Sequence, residues 1–498
     1  MGSGIVSWGV YLPYWRLERS RIAEATRSAA GRGRRAVASY DEDTTSMGVE
    51  AARRALAVAG VPDPTSVYFS TPAPAYLDKT NAATIHAAIG LPMDRGAYDL
   101  GGSPRSGWAA ASLAAAAGAQ AATMAILSDL RTGLPGSSDE SQGGDGAVAF
   151  VFAPEGGVAE VLGRASATDE FLDRWRVPGE TASRQWEDRF GEEAYLPLVR
   201  DAFARALTEA GLATGDVDYL VVAGLHARAV ATLKRTLGVD TERVVADHAE
   251  LVGNLGAAAA ALGLADVLER ATPGQVVVLV SVADGADVLV LRTTDALPAV
   301  QAARRDAALT PVAELVEGGR SDLPYVTFLM WRGVLRREPP RRPDPERPDA
   351  PAMWRSEGWK FAFSASRCKV CGFRHLPPTR VCLSCHSVDQ MEPERMADLR
   401  GTVATYTVDR LAFSLSPPIV GAVIDFDGGG RYRGEMTDVD PDAVAVGTRV
   451  EMTFRRLYSA EGVHNYFWKA RPVTDEATAG AEPSTAAGAT RAPAEGGR

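Results

Sequence analysis

The chain has 498 residues, of which 46% are hydrophobic and 23% are charged, and its formal net charge at pH 7 is −10. This length allows roughly two to four domains with full-sized cores, and the composition is typical of a globular protein. The acidic balance argues against a nucleic-acid-binding protein, and no apolar run reaches the roughly 20 residues of a membrane span, so we expect neither partner.

The N-terminal segment MGSGIVSWGVYLPYWRLERS lacks the cationic start and the cleavage site of a secretory signal, so we expect a cytoplasmic protein. Through residues 1–296, apolar strands alternate with Ala- and Leu-rich helices, which predicts an α/β fold with buried sheets. The candidate strands are 4–13, 67–71, 123–130, 147–153, 219–225, 276–282 and 286–294, and the candidate helices are 43–59, 106–119, 196–211, 227–237 and 255–270.

The same order of motifs occurs twice within this region. The strand SVYFST corresponds to DYLVVAGL, the segment YDLGGSPRSGWAA to ADHAELVGNLGAAA, and GGDGAVAFVFA to VADGADVLVLR. The repeat predicts two similar halves, residues 1–157 and 158–296, packed against each other. A site between such halves would be formed by equivalent loops of each.

The remainder of the chain changes character three times. Residues 297–350 are polar and rich in proline, and we predict a linker with one short helix in YVTFLMWRGVLRR. A Cys-rich module (351–398) precedes short β-like runs separated by Gly, Pro and Asp, which predict a small β-barrel over 399–473. The composition of residues 474–498 predicts a disordered tail.

All four cysteines of the chain lie in the Cys-rich module, with the spacing C-x2-C-x10-C-x2-C. Each C-x-x-C turns two sulfurs towards one point, and two such pairs form a tetrahedral thiolate site that suits Zn²⁺. Four protein ligands close the coordination sphere, so we predict structural zinc, with reduced dithiols or disulfides as the alternative. The ligands would be Cys368, Cys371, Cys382 and Cys385.

The motifs YLPYWRL, YDEDTTSMGVEAARRAL, GGDGAVAFVF, VGNLGAAAAALGLADVL and ADGADVLVL resemble the thiolase superfamily, on the hydroxymethylglutaryl-CoA synthase and ketoacyl synthase III side. The cysteines, FRHLPPTRVC and RGTVATYTV resemble the zinc-ribbon and OB-fold family that accompanies thiolases and acyl-CoA enzymes. The resemblance implies a duplicated, layered thiolase-like fold followed by a rubredoxin-like zinc ribbon and an OB-fold barrel. It also implies a coenzyme A thioester as substrate and a homodimer.

In that superfamily, a cysteine at the head of the helix after an elbow carries the acyl group. In this sequence the matching segment, DLGGSPRSGWAA, has Pro104 at that place, and the loop of the family's general-base glutamate has Pro72 or a neighbour. Both groups of the condensation chemistry therefore look absent. His226 and Asn254 match the family's histidine and asparagine, which implies an oxyanion site for a thioester carbonyl.

Three interpretations of the altered elbow remain open. Ser103 or Ser106 replaces the cysteine with His226 as its base, although serines at this place also cap helices. Alternatively, a hydroxyacyl thioester is cleaved or formed at a carbon–carbon bond with no acyl-enzyme. The base would then be His226, Tyr76, Asp78 or His248.

The third interpretation is a non-catalytic subunit that partners a separate thiolase, and it fits the joint loss of cysteine and glutamate. A protein that binds single-stranded nucleic acid through the barrel is a further alternative, but we expect the barrel's aromatic residues to be core and its arginines solvated. The sequence favours a protein of the hydroxymethylglutaryl-CoA synthase-like group. We expect it to act on an acyl-CoA or carrier thioester in carbon–carbon bond chemistry without a cysteine nucleophile.

Overall fold

The computed structural model describes residues 3–29, 31–341 and 343–473, so the predicted tail at 474–498 lies outside the described residues. None of the helices in the described ranges combines the length and hydropathy that crossing a membrane requires.

The first α/β half contains a five-stranded sheet of order β1-β7-β6-β4-β5 and a two-stranded ribbon of β2 and β3. Its strands are β1 (Gly4–Tyr11), β2 (Trp15–Glu18), β3 (Arg34–Val37), β4 (Ser66–Ser70), β5 (Gly96–Leu100), β6 (Thr123–Leu130) and β7 (Asp145–Ala153). Its helices are α1 (Arg19–Thr26), α2 (Thr44–Leu56), α3 (Ala82–Ala88), α4 (Arg105–Gly118) and α5 (Ser138–Gln142).

The second half contains a four-stranded sheet of order β11-β12-β13-β8. Its strands are β8 (Ala159–Ala167), β9 (Arg174–Trp175), β10 (Arg184–Gln185), β11 (Tyr219–Gly224), β12 (Val276–Val282) and β13 (Ala286–Thr293). Its helices are α6 (Asp188–Ala210), α7 (Ala227–Thr236), α8 (Ala249–Val252) and α9 (Ala259–Arg270), with 3-10 turns at Thr214–Asp216, Thr241–Arg243 and Gly256–Ala258.

The two sheets enclose a central layer of helices. Helix α4 packs on β4, β6 and β7 of the first sheet, and α9 packs on β11 and β12 of the second, while α2 and α6 cover the outer faces. The central strands are nearly free of charge because both of their faces are buried. The duplicated α/β layers predicted from the sequence are therefore confirmed.

The region 297–350 is more structured than the predicted linker with one short helix. Helices α10 (Leu297–Asp306), α11 (Val312–Glu317) and α12 (Tyr325–Trp331) occupy its first part. Their buried apolar side chains, such as Val312 and Phe328, join cores of the α/β body. The helices are too short for their periodicity to be read from the sequence, and tertiary packing stabilises them.

The C-terminal part begins with α13 (Ala350–Arg355) and α14 (Glu357–Lys360), followed by a three-stranded sheet and a closed five-stranded barrel. The sheet has the order β15-β14-β16 and the barrel the order β17-β18-β19-β21-β20. The strands are β14 (Ser364–Cys368), β15 (Arg374–His375), β16 (Met391–Arg395), β17 (Gly401–Asp409), β18 (Ile419–Phe426), β19 (Arg431–Met436), β20 (Arg449–Ala460) and β21 (Val463–Pro472).

The barrel packs against α2 and the loop before it, and the two share one hydrophobic cluster. Polar groups also meet at this contact between the barrel and the α/β body, where the guanidinium of Arg455 is fully buried. Its Nη1 lies 2.7 Å from Glu42 Oε1 and 3.5 Å from Asp41 Oδ1, and its Nη2 also pairs with Asp438. The interface cluster consists of Asp41, Glu42, Glu50, Asp438, Arg455, Lys469 and Arg471.

The basic members of the interface cluster hold two of its carboxyl groups ionised. Burial alone would raise the pKa of Asp41, but the charges of Lys469 and Arg455 lower it from 3.8 to about 2. Burial is likewise outweighed at Glu50, where Arg471, at 2.8 Å, contributes most to lowering the pKa from 4.5 to about 2. Both carboxylates therefore stabilise the folded state in their ionised form.

We predict that Arg455→Ala lowers the free energy of unfolding by about 3–5 kcal/mol, because it leaves three buried carboxyl groups without their shared cation. Urea unfolding followed by circular dichroism measures the loss. The matched control is Arg431→Ala, which removes an exposed ion pair with Asp425 and is expected to cost less than about 1 kcal/mol. Equal losses in the two variants would contradict the importance of the buried cation.

We also predict an acid-induced loss of stability between about pH 4 and pH 2, set by Asp41 and Glu50. Because their pKa values are depressed in the folded state, their contribution is complete above their ordinary values and is lost as pH falls towards about 2. Thermal unfolding at a series of pH values measures this decrease of stability with falling pH. Glu50→Gln should make the melting temperature depend less steeply on pH. A wild-type melting temperature that is constant over this range would refute the prediction.

Candidate functional site

A cavity of about 710 Å³ lies between the two halves, where loops follow the carboxyl ends of their strands. Pro72 follows β4, Ser103 follows β5, Arg131 follows β6, His226 follows β11 and Asp284 follows β12, and all five line it. Equivalent loops of a duplicated fold thus converge on one site, which we call the elbow cavity.

The elbow that leads into α4 presents a proline to this cavity. Gly102 has φ +111, a conformation that favours glycine, and it turns the chain between β5 and α4. Pro104 follows as the residue that precedes the first turn of α4, with φ −57, and lines the cavity. The position where the resemblance places a nucleophile therefore has an apolar ring.

The two serines of the elbow make local hydrogen bonds. Ser103 lines the cavity, and its Oγ accepts the N–H of Arg105 at 3.3 Å. Ser106 Oγ donates to the carbonyl oxygen of Ser103 at 2.5 Å and accepts the hydroxyl of Ser70 at 3.1 Å. Neither hydroxyl is hydrogen-bonded to His226 within the described residues. Both contribute to the start of the helix.

His226 stands at the N-terminus of α7 with its imidazole held in one orientation. Its Nδ1 accepts the N–H of Ala229 at 3.1 Å, so the neutral ring carries its proton on Nε2. The side chain is 6% exposed and lines the elbow cavity. Over the described part of the chain, Nε2 has no hydrogen-bond partner, and Asp173 Oδ1 lies 3.8 Å away. Nε2 is therefore a buried, oriented donor beside the cavity that lacks a hydrogen-bond partner within the described residues.

Two further residues accompany the histidine, and neither was found from the sequence. Tyr195 donates its hydroxyl to Asp173 Oδ2 at 3.3 Å, and its ring meets His226 edge-on at 5.7 Å between centroids. Burial and the charge of Asp173 raise the pKa of Tyr195. Gly191 leaves space for the His226 and Asp173 side chains, because a Cβ at position 191 would lie 2.5 Å from both His226 Nε2 and Asp173 Oδ1. The three side chains belong to distant segments with no shared motif.

The side-chain amide of Asn254, the predicted partner of His226, is hydrogen-bonded to backbone groups. Its Nδ2 donates to the carbonyl of Gly224 at 2.7 Å, and its Oδ1 accepts the N–H of Gly256 at 2.9 Å. Asn254 is not among the residues that line the elbow cavity. The structure thus places its amide between the end of β11, two residues before His226, and the approach to α9. The pairing of Asn254 with His226 on one thioester carbonyl stays a prediction.

The three alternative bases lie in different surroundings. Tyr76 lines the elbow cavity, while Asp78 and His248 do not. His248 Nε2 is instead 3.6 Å from Asp266. The OB-type barrel reaches this region, since the backbone N–H of His464 donates to Tyr76 Oη at 2.7 Å and the two rings are 4.8 Å apart.

Several guanidinium groups line the elbow cavity together with acidic side chains, and no motif of the sequence marks them. Arg176 donates to the carbonyl of Pro72, and burial together with the charge of Arg131 lowers its pKa. Arg131 lies 3.6 Å from Asp129. Arg174 is paired with Asp139 and Arg332 with Asp145. The guanidinium groups that suit a phosphate or carboxylate are therefore those of Arg131 and Arg176. The arginines that line the cavity are Arg131, Arg174, Arg176 and Arg332.

The four cysteine sulfurs lie within 4.8 Å of one another and could hold a metal ion. The distance from Cys368 Sγ to Cys385 Sγ is 3.7 Å, and that from Cys371 Sγ to Cys382 Sγ is 3.5 Å. A tetrahedral site with metal–sulfur bonds of about 2.3 Å has edges of about 3.8 Å. The donor set and its spacing therefore fit a four-thiolate metal centre.

Two family models match parts of the chain. Residues 207–291 match the C-terminal part of 3-oxoacyl-[acyl-carrier-protein] synthase III, and residues 394–455 match the C-terminal OB-fold domain of ChsH2. The second match confirms the OB-fold predicted for the barrel.

Curated relatives cover the α/β body. The hydroxymethylglutaryl-CoA synthase of Caldivirga maquilingensis is 31% identical over 352 residues, which are 68% of this chain and 99% of the relative. That of Aeropyrum pernix is 32% identical over 352 residues, 67% of this chain and 95% of the relative.

Solved structures confirm the thiolase-like fold. An HMG-CoA synthase complexed with CoA is 16% identical with a TM-score of 0.57, covering 66% of this chain and 89% of that one. The 3-oxoacyl-(acyl carrier protein) synthase III of Pseudomonas aeruginosa PAO1 is 22% identical with a TM-score of 0.52, covering 59% and 99%.

Proposed function

Because the chain belongs to the hydroxymethylglutaryl-CoA synthase family, we propose that it binds an acyl-CoA or carrier thioester in the elbow cavity. There it forms or cleaves a carbon–carbon bond without a cysteine nucleophile. The observation that carries the proposal is the Nε2–H of His226, which is buried, oriented and without a hydrogen-bond partner among the described residues.

His226 acts as a hydrogen-bond donor to the thioester oxygen. Since Nδ1 is occupied by the N–H of Ala229, the neutral ring offers only a proton at Nε2. A donor in a water-poor site stabilises the negative charge that develops on an enolate oxygen. This role requires neither an acyl-enzyme nor a proton transfer by the histidine.

Asp173 is the base that the geometry favours. It lines the elbow cavity beside Nε2, and Tyr195 orients its carboxylate. In the cleavage direction, Asp173 takes the proton of a β-hydroxyl, the carbon–carbon bond breaks to form a new carbonyl, and the bond's electron pair becomes the enolate held by His226. The proton held by Asp173 then passes to the enolate carbon, which restores the carboxylate, and the condensation is the same sequence reversed.

The arginines of the elbow cavity support the binding of an anionic ligand. Arg176 and Arg131 repel each other in a partly buried place, and the phosphates of coenzyme A or a carboxylate would relieve that repulsion. We also propose a homodimer, since β5 is an edge strand of its sheet, and zinc as the metal of the four cysteines. Zinc there would have a structural role, because no ligand position remains open.

A non-catalytic subunit that partners a separate thiolase is the second candidate function. The observation that favours it is the elbow itself, where Pro104 stands in place of a nucleophile and Pro72 in the loop of the missing glutamate. The same assay distinguishes the two functions when it is run with and without a thiolase.

We predict that His226→Ala lowers turnover of the best substrate in a panel of acyl-CoAs and hydroxyacyl-CoAs by roughly 100-fold or more, because the oxyanion donor is lost. Asp173→Asn should lower kcat with little change in KM. His86→Ala, at a half-buried histidine that does not line the elbow cavity, is the control and should retain activity. Activity that appears only with a thiolase and persists in His226→Ala would instead establish the subunit role.

We further predict about one zinc ion per chain by elemental analysis. Cys368→Ser should abolish the metal and unfold the three-stranded sheet of β14–β16, while the α/β body remains folded. Ser384→Ala, in the same loop as Cys382 and Cys385, should retain full zinc. Recovery of an iron–sulfur cluster, or of no metal in the wild type, would rule zinc out.

A further inference from the structure

A second and larger cavity adjoins the elbow cavity. Its volume is about 1140 Å³, and it lies in the central layer between the two sheets. The two cavities share four lining residues, so they meet at the elbow. The shared residues are Pro104, Leu225, Val282 and Ala283.

The larger cavity exists because the central helices present alanines to it. Ala111 and Ala115 of α4 line one side, and Ala260 and Ala261 of α9 line the other. Methyl groups cannot fill the space between two sheets, and protein interiors tolerate few voids larger than a water molecule. The cavity volume of about 1140 Å³ slightly exceeds that of most ligand pockets, which run from roughly 300 to 1,000 Å³. We call it the alanine-lined cavity.

The walls of the alanine-lined cavity are mostly hydrocarbon, with a few serines such as Ser112 and Ser281. Phe150 and Leu127 extend from the first sheet, and Leu279 and Leu289 from the second. The charged residues that line it are all exposed to solvent, and they are Glu160, Arg164 and Arg205. An apolar ligand is therefore favoured in its interior, whereas an ionic group there would lack a partner.

We infer that the alanine-lined cavity takes the hydrocarbon chain of the acyl group, so that the substrate class is thioesters with medium or long apolar acyl chains. The inference rests on the proposed function, which places the thioester beside His226. The acyl chain passes Pro104, where the cavities meet, and the anionic part of the carrier lies against Arg131 and Arg176. Polar and apolar ends of one amphipathic ligand thus match two joined compartments of opposite character.

The test compares the binding of CoA, acetyl-CoA and decanoyl-CoA to the full chain by isothermal titration calorimetry. Each buried methylene raises affinity by roughly fourfold at most, and we expect decanoyl-CoA to bind at least about tenfold more tightly than acetyl-CoA. Ala111→Phe fills the cavity and should reduce this preference to about twofold or less while binding of CoA is retained. Ala109→Phe, on the exposed side of the same helix, should leave the preference unchanged.

Ala260→Phe fills the cavity from the opposite helix and serves if Ala111→Phe does not fold. Binding of CoA with equal affinity for acetyl-CoA and decanoyl-CoA overturns the inference and leaves the proposed function standing. A chain-length preference that persists in the filled variants overturns it as well. Failure of CoA and both thioesters to bind overturns the proposed function together with the inference.

Discussion

The burial of Arg455 fixes how the OB-fold barrel sits on the α/β body. Its guanidinium is fully buried and faces carboxyl groups from both, Asp41 and Glu42 on one side and Asp438 on the other. A buried cation is tolerated only with partners in place, so displacing the barrel would leave uncompensated charge on both surfaces. Burial raises the pKa of Glu42 against the charge of Arg455, and Asp438 adds to the rise.

The same docking geometry reaches the elbow cavity. Strands β20 and β21 carry Arg455 and Lys469 into the interface cluster, and near the turn that joins them His464 holds the hydroxyl of Tyr76. Tyr76 belongs to the loop that follows β4 and forms part of the cavity wall. The barrel is thus a structural support for one side of the site, and a change in its position would alter the cavity.

The elements of the fold could be predicted wherever the signal is local. Apolar strands, the repeated motif order and the C-x-x-C spacing each depend on neighbouring residues, and the α/β layers and the barrel followed from them. The interface cluster could not be predicted, because its pairs join residues such as Glu50 and Arg471, which are 421 positions apart. The segment YDEDTTSMGVEAARRAL suggested a family, yet only the structure shows that its acidic residues face the barrel.

Only part of the candidate site could be predicted from the sequence. His226 could be located because it follows a strand of the second half directly, whereas Asp173 and Tyr195 reach it from a loop and a helix that no motif marks. A nucleophile at the elbow would need an activating base, whereas a donor and a carboxylate suffice for breaking a carbon–carbon bond next to a β-hydroxyl. Pro104 supplies no chemistry of its own, but it stands where a polar compartment with arginines meets an apolar one. An elbow without a nucleophile is therefore consistent with a site whose work is to hold a thioester across two environments and to stabilise its enolate.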